Sequence, residues 1–298
     1  MLSVDPKQIS TKQLHGYLLG AVAPRPICFA STVDAKGNVN LSPYSFFNVF
    51  GSNPPLMIFS PARRVRDNTT KHTLDNVMAT KEVVINIVSY AMVQQMSLSS
   101  TEYPEGVNEF IKAGFTEVPS EVVSPPRVAE APVQFECKVT DVIATGTEGG
   151  AGNLILAEVV YIHINETILD DAGVIDPLKI DTVARMGGNW YSRAKDGIFE
   201  VPKPLSTLGM GVDALPEAIR TSAVLTGNDL GMLGNVTALP ETANVEAFKE
   251  NASETYQYLI TSGTNKEVHE EAQRLLCDGN ISEAWLLLMA GTKTNDSE

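Results

Sequence analysis

Alternating and β-branched runs dominate the first two thirds of the chain and predict a fold rich in strands. Gly, Pro and Asn residues separate six such runs, which are residues 26–32, 38–42, 55–60, 82–89, 133–146 and 153–165. Within 133–139 the apolar residues Val133, Phe135, Cys137 and Val139 recur at every second position. This alternation predicts a sheet with one buried face.

Two segments that contain glycine, 34–38 and 147–153, are predicted to connect hairpins, with Gly37 and the glycines of 149–152 at positive φ. Short helices are predicted at 69–82, 90–100 and 106–114. In the first of these, Leu74, Val77 and Met78 share one face, and its threonines are suited to cap it. Strands and helices do not alternate regularly. The order therefore predicts a mainly β fold, an antiparallel barrel with short helical insertions, and not a parallel doubly wound sheet.

The pattern changes near residues 201–206, where two prolines bracket a predicted linker. Beyond it the periodicity is helical, in segments 244–262, 265–279 and 281–291. The second segment aligns Val268, Ala272, Leu275 and Leu276 in one stripe and ends at Gly279. We therefore predict a barrel domain over residues 15–200 and a helical C-terminal extension of unknown role over residues 207–298.

Charge and cysteine content narrow the function classes. The formal net charge is −14, which argues against nucleic-acid binding through a general basic field, so an anionic ligand needs a local basic site. The three cysteines are far apart and odd in number, which predicts neither a disulfide framework nor a metal cluster. No segment approaches the roughly 20 apolar residues of a membrane helix, and the start lacks the apolar stretch of a signal peptide. We expect a cytoplasmic protein with no membrane partner.

Sequence motifs for catalysis by side chains are missing. The four histidines lack metal-ligand spacing, and neither a nucleophile elbow nor a phosphate-binding glycine loop is found. Residues 209–214, GMGVDA, loosely match a dinucleotide motif, but no strand precedes them, so a turn before a helix is the favoured interpretation. If the protein is an enzyme, we expect a cofactor to supply the chemistry.

Residues 38–73 could cradle flavin mononucleotide (FMN), which needs a slot for its ring, polar contacts for its ribityl chain and an anion site. Residues 42–48 could line the ring, and Ser60, Arg63, Lys71 and Thr73 could reach the phosphate. The alternative places Phe46 and Phe47 in the core and the arginines of 63–66 in a solvated turn.

A series of motifs extends this interpretation along the chain. Pro24-Arg25-Pro26 precedes STVDAKGNVN (31–40), SPYSFFN (42–48) and Pro54-Pro55-Leu56. Further matches are KHTLDN (71–76), EVVINIVS (82–89), YPEGVNEF (103–110), PPRVAEAPVQFECKV (125–139) and ARMGGNWYSR (184–193). In this order, over about two thirds of the chain, they resemble the flavin reductase-like, FMN-binding split-barrel family.

The resemblance implies a homodimer that binds one FMN per subunit near the dimer interface. It implies ring and ribityl contacts from Ser45, Phe46, Phe47 and Asn48, phosphate contacts from Ser60, Arg63, Lys71 and Thr73, and further site residues at Asn86, Ser100 and Tyr191. Many members have Asp where this chain has His72. This histidine either adds a donor to the phosphate site or faces solvent from the helix, and the second interpretation is favoured.

Two functions follow from the resemblance. The first is an oxidoreductase that transfers hydride from NADH or NADPH to the flavin, with no catalytic side chain identified. The second is a non-enzymatic FMN carrier or store, because no nicotinamide-nucleotide site is evident and a fold does not fix a function. A weaker third is a partner-binding protein with a vestigial flavin site. The sequence leaves open the choice of NADH or NADPH, the final acceptor, and whether FMN is a cofactor or a substrate.

Overall fold

A seven-stranded antiparallel sheet forms the centre of the first part of the chain, with strand order β2-β1-β5-β8-β9-β4-β3. The computed structural model describes residues 1–201 and 208–293. The strands in these residues are β1 (Cys28–Val33), β2 (Val39–Tyr44), β3 (Phe47–Ser52), β4 (Pro55–Phe59), β5 (Glu82–Ile87), β6 (Glu117–Val118), β7 (Arg127–Val128), β8 (Val133–Ala144), β9 (Asn153–Ile164), β10 (Val183–Arg185) and β11 (Tyr191–Arg193). β6 pairs with β7 and β10 with β11 in two small hairpins.

Short helices surround the sheet and longer ones follow it. They are α1 (Thr11–Ala21), α2 (His72–Thr80), α3 (Val93–Leu98), α4 (Glu109–Ala113), α5 (Glu217–Arg220), α6 (Gly227–Gly234), α7 (Thr242–Asn251), α8 (Glu254–Thr261), α9 (Asn265–Cys277) and α10 (Ile281–Gly291). Single 3₁₀ turns lie at Pro6–Gln8, Tyr90–Met92, Glu166–Ile168, Ala194–Asp196 and Val212–Ala214.

All six predicted strands are present, and their ends lie within two residues of the predicted ones. β3 was not predicted, because residues 47–52 lie outside the six runs that predict strands. Phe47 pairs with Phe59 of β4, and a register shift between Val49 and Gly51 follows. Residues 47–52 therefore form an edge strand of the sheet.

The sheet is buried on both sides along β1. Cys28 and Ala30 lie in one apolar cluster with Phe59 and Val77, which includes α2. Phe29 points the other way, into a second cluster that includes residues from α3 and α4. Every residue of β1 is buried as a result. In β8 the predicted inward residues Val133, Cys137 and Val139 are buried, but Gln134 and Glu136 are buried as well, so the predicted one-sided burial does not hold over residues 133–137.

Local details differ from the predictions at three points. Among the described glycines of 149–152, Gly150 alone has positive φ, at 94°. Met78 is exposed and not on the buried face of α2. Lys71, and not a threonine, occupies the N-cap of that helix, without a side-chain cap bond. α4 does end on Gly114 in the left-handed region, as predicted.

The chain divides into two compact units, Met1–Phe199 and Glu200–Glu298. The predicted linker at 201–206 falls, after Val201, outside the described residues. The second unit packs its helices around Trp285, Leu275 and Leu288.

The predicted stripe of α9 is buried, and Thr264 and Glu267 form a capping box at its start. The segment 244–262 is two helices and not one, because Ser253 starts α8 with a cap bond to the Tyr256 amide. Residues 211–214 are a turn that precedes helix α5, and they follow no strand among the described residues.

Candidate functional site

A cavity of about 550 Å³ lies in the first unit, where β2 ends and where α3 and the β10–β11 hairpin approach it. Its polar and charged lining includes Ser45, Ser97, Ser100, Arg185, Asn189 and Tyr191. Ile27, Pro43 and Met96 add apolar surface. A volume in this range, with mixed walls, is typical of small-molecule sites.

Three of the predicted site residues meet at this cavity. The Ser45 hydroxyl lies 3.5 Å from Nε of the buried Arg25. Ser100 donates through Oγ to the Ser97 carbonyl at 2.6 Å. The ring of Tyr191 is half-buried, and the Arg185 guanidinium lies 4.6 Å from its centroid.

The Ser-Phe-Phe-Asn segment divides between the surface and the core. Phe46 is exposed, and its carbonyl accepts the Ser60 amide at 2.9 Å. Phe47 packs against the core beneath the sheet, as the alternative interpretation of this residue expected. Asn48 is exposed, and its Oδ1 accepts the amide of Val49. In this segment Ser45 lines the cavity, and Phe46 and Asn48 expose their side chains to solvent.

Ser60 and Arg63 fasten the loop that follows β4. The buried Ser60 hydroxyl accepts the Asn153 amide at 3.0 Å. Arg63 donates from Nε to Asn68 Oδ1 and from its terminal nitrogen to the Asn68 carbonyl, at 2.7 and 2.6 Å. The Ser60 bond joins the loop to the start of β9, whereas the Arg63 bonds close the loop on itself. Both occupy part of the polar groups that were predicted to bind phosphate.

A cation cluster lies beside this loop and centres on Glu102. The Glu102 carboxylate accepts from Arg64 Nε at 2.9 Å, from Arg66 at 3.0 Å and from Lys71 Nζ at 3.4 Å. Hydrogen bonds from Arg64 and Arg66, then the charge of Lys71, lower the pKa of Glu102. Arg66 also pairs with Asp67 at 3.1 Å, so three cations face two carboxylates and leave one local positive charge in a chain of net charge −14.

Thr73 and Asn86 lie inside the protein, which differs from their predicted place in the site. Thr73 is fully buried, accepts the Tyr44 hydroxyl and donates to Asn40 Oδ1, both at 2.8 Å. Asn86 is fully buried between the Phe29 carbonyl and the Val128 amide. Buried polar groups need such partners, so both side chains are committed to the fold.

The Thr73 network nevertheless reaches the cavity. Asn40 donates to Glu109 Oε1 at 2.9 Å, and Glu109 Oε2 accepts the Leu41 amide. Burial raises the pKa of Glu109 and also that of Tyr44. Tyr44 lines the cavity. Thr73 therefore holds a wall of the cavity in place from the first turn of α2.

His72 starts α2 and is half-buried. It lines a small groove with Asp75 and Glu105. The choice between the two interpretations of His72 stays a prediction.

Arg25 and Arg185 were not predicted as site residues, although both lie in quoted motifs. Their backbones pair, with both N–H···O distances at 2.9 Å. The Arg25 guanidinium donates to the carbonyls of Leu19, Val22 and Met186. Arg185 donates to the Gly188 carbonyl at 2.9 Å. The sequence signal that could have identified Arg185 as a site residue is the glycine pair Gly187-Gly188, which follows it closely.

Among the described residues, the cavity lining contains no Cys, His, Asp or Glu that could serve as a base or a thiol nucleophile. Burial raises the pKa of the Cys28 and Cys137 thiols, which keeps them protonated. Within residues 1–201 and 208–293 no cluster of three or more His, Cys, Asp or Glu is arranged to hold a metal ion. The helices of these residues are also too short or too polar to cross a membrane.

Comparison with known proteins decides the family. A sequence model described as the flavin reductase like domain matches residues 20–179, which is more than half of the chain. The chain belongs to the flavin reductase-like family. An uncharacterized protein of Aquifex aeolicus is 38% identical to it over 188 residues, which cover 63% of this chain and 93% of the relative.

Solved structures share the flavin reductase-like split-barrel fold. Nitrilotriacetate monooxygenase component B from Bacillus cereus matches with a TM-score of 0.64 and 30% identity, over 67% of this chain and 98% of its own. The 2-nitrobenzoate 2-nitroreductase NbaA of Pseudomonas fluorescens matches with a TM-score of 0.60 and 26% identity, over 70% of this chain and all of its own. The matched part of this flavin reductase-like protein is about as long as the sheet-rich unit.

Proposed function

We propose that this protein is an FMN-binding oxidoreductase that passes hydride from NADH or NADPH to the flavin. The observation that carries the proposal is the 2.8 Å bond between Tyr44 and Thr73. It joins a wall of the cavity to the first turn of α2, where Lys71 of the cation cluster forms the N-cap. A ring slot and an anion site side by side are what a flavin mononucleotide requires.

The donor set fits the proposed cofactor. Ser45 and Tyr191 provide polar and aromatic surface in the cavity, and Phe46 and Asn48, which follow Ser45 in the chain, have exposed side chains. Lys71, with Arg64 and Arg66, would neutralise the phosphate dianion through charge-assisted hydrogen bonds. Ser60 and Arg63 stay predicted contacts, at the loop that carries these cations. Bound FMN would supply the two-electron chemistry.

The residues of the chain then have positioning roles. Tyr44, held by Thr73, and Tyr191, beneath Arg185, shape the cavity walls and exclude water from the ring faces. Orientation of donor and acceptor rings can account for much of a hydride-transfer rate without a side-chain acid or base.

The proposed assembly is a homodimer. β3 is an edge strand of the sheet, and Val49 and Phe50 on it are 59% and 63% exposed. Exposed apolar edge strands are usually covered by another chain or element. Sedimentation equilibrium of the purified protein should give twice the 32.1 kDa chain mass. A monomer at micromolar concentration would contradict the assembly but not the cofactor.

The absorbance spectrum of the purified protein, before and after titration with FMN, tests the proposal. A flavin band near ~450 nm, bleached within seconds on anaerobic mixing with NADH or NADPH, is the expected result. Bleaching by a reduced redox protein but by neither nucleotide would favour the electron-carrier alternative. A colourless protein that takes up no FMN would reject both functions.

A further inference from the structure

The cavity carries positive charge that the flavin phosphate does not account for. Arg185 lines it directly, and Arg25 lies behind Ser45. Neither arginine forms an ion pair with a carboxylate among the described residues, and no Asp or Glu lines the cavity. In a protein with 36 acidic and 22 basic residues, such a region is unusual.

The two arginines reinforce each other. Residues 25 and 185 form an antiparallel backbone bridge, and paired residues in this geometry carry their side chains on the same side. Burial, followed by the charge of Arg185, lowers the pKa of Arg25. Two arginines held together with no carboxylate beside them favour the binding of an anion from solution.

Arg25 cannot serve as the contact, because its guanidinium is occupied. It is 6% exposed and donates to three backbone carbonyls. Arg185 is half-buried and makes one bond within the described protein, to the Gly188 carbonyl. Of its five N–H groups, the others have no protein acceptor among the described residues. Arg185 is therefore the group that can receive an anion.

The surroundings of Arg185 define the shape of that anion. The guanidinium lies over one face of the Tyr191 ring, 4.6 Å from its centroid, so the planar donor fork is held on that face, and Tyr191 also lines the cavity. Asn189 lines the same wall. Such a fork matches carboxylate or phosphate oxygens, and the aromatic surface suits a flat ring.

We infer that Arg185 recognises the second ligand of this cavity, the redox partner of the flavin, as a planar molecule that carries an anionic group. The inference rests on the proposed function, since it assigns the flavin to the same cavity. Beyond the proposed function, the inference states that the redox partner is anionic and that Arg185 binds its anionic group.

The experiment uses the FMN-loaded protein and two matched probe pairs. Benzoate is compared with benzamide, and reduced nicotinamide mononucleotide with reduced nicotinamide riboside, by anaerobic titration that follows changes in the flavin spectrum. Within each pair only one member carries the anionic group. The first pair tests recognition of a carboxylate, and the second tests recognition of a phosphate. In at least one pair the anion should bind roughly tenfold to a hundredfold more tightly.

Arg185→Gln should abolish this preference and leave FMN bound. Arg185→Lys should keep part of it, because the charge stays while the planar fork is lost. Arg193→Gln is the control: Arg193 lies in the same hairpin but is paired with Asp181 at 2.6 Å, and its preference should equal that of the unmodified protein.

Three outcomes would overturn the inference. The first is equal affinity of the unmodified protein for the anion and its neutral analogue in both pairs. The second is an unchanged preference for the anion in Arg185→Gln. The third is loss of FMN from that variant, which would assign Arg185 to the flavin itself. Failure of the unmodified protein to take up FMN would instead reject the proposed function. Calorimetric titration of the same probes would then still test Arg185.

Discussion

Lys71 and Glu102 form an ion pair with an Nζ–Oε1 distance of 3.4 Å, and Glu102 also accepts hydrogen bonds from Arg64 and Arg66. The carboxylate holds three cations together next to the first turn of α2. A phosphate at this position would share donors with a carboxylate, and the two anions would repel each other.

Removing the lysine should weaken binding of the phosphate-bearing flavin selectively. Lys71→Ala is expected to reduce FMN affinity about tenfold and riboflavin affinity little, because a charge-assisted bond to phosphate is lost. Flavin fluorescence quenching measures both dissociation constants. Lys36→Ala, on the exposed β1–β2 connection, is the control for loss of one positive charge. Equal weakening of both flavins would refute the phosphate assignment.

Removing the carboxylate should have the opposite effect. Glu102→Gln is expected to tighten FMN binding by roughly twofold to fivefold, a modest gain because the cluster is solvent-exposed and screened. Riboflavin binding should not change. Glu105→Gln, at a nearby exposed acid, should leave both constants unaltered. If Glu102→Gln weakened FMN binding, the carboxylate would be needed to orient the cations.

The buried hydroxyl of Thr73 should matter for stability. Thr73→Val keeps the shape but leaves the Tyr44 hydroxyl and Asn40 Oδ1 without their partner, at a cost of about 2–4 kcal/mol in the free energy of unfolding. Thr73→Ser retains the hydroxyl and should lose much less. Urea denaturation followed by circular dichroism gives the values. A Val variant as stable as the Ser variant would show that the network contributes little.

The second unit should lose stability in mild acid through His269. This residue is buried, its Nδ1 lies 2.7 Å from Ser222 Oγ, and burial lowers its pKa. The unfolded chain then binds more protons below about pH 6.5, so the stabilisation is complete above that pH and declines as pH falls toward the lowered pKa.

Fluorescence of Trp285, in a Trp190→Phe background, reports the urea midpoint of this unit as a function of pH. Trp285 is buried, whereas Trp190 is 76% exposed in the other unit. His269→Gln should flatten the decline between pH 7 and pH 5. A decline of the same size in the variant would assign the acid sensitivity to other groups.

Short-range patterns predicted most of the fold. Alternating and β-branched runs located six of the seven strands of the sheet, and the apolar stripe of α9 and its stop at Gly279 were also predicted. β3 was missed because Asn48 and Gly51 are typical of connections, while its pairing with β4 and the burial of Phe47 depend on contacts that periodicity does not encode.

The candidate site was harder to predict because distant residues build it. Thr73 is adjacent in sequence to the predicted phosphate residues, yet its hydroxyl serves a network that reaches Glu109. Arg25 and Arg185 are 160 positions apart and meet through a backbone bridge. Motif resemblance located the correct segments, but not which side chains face inward.

Arg25 makes the beginning of the chain part of the site's architecture. Its guanidinium satisfies the final carbonyls of α1 and the carbonyl of Met186 while it touches Ser45. A truncation that removed α1 and Val22 would leave the buried Arg25 guanidinium without two of its carbonyl acceptors. This would disturb a cavity whose other walls come from much later in the sequence. A shortened protein that lacks the residues before Arg25 should therefore have an altered cavity, even where the sheet itself is intact.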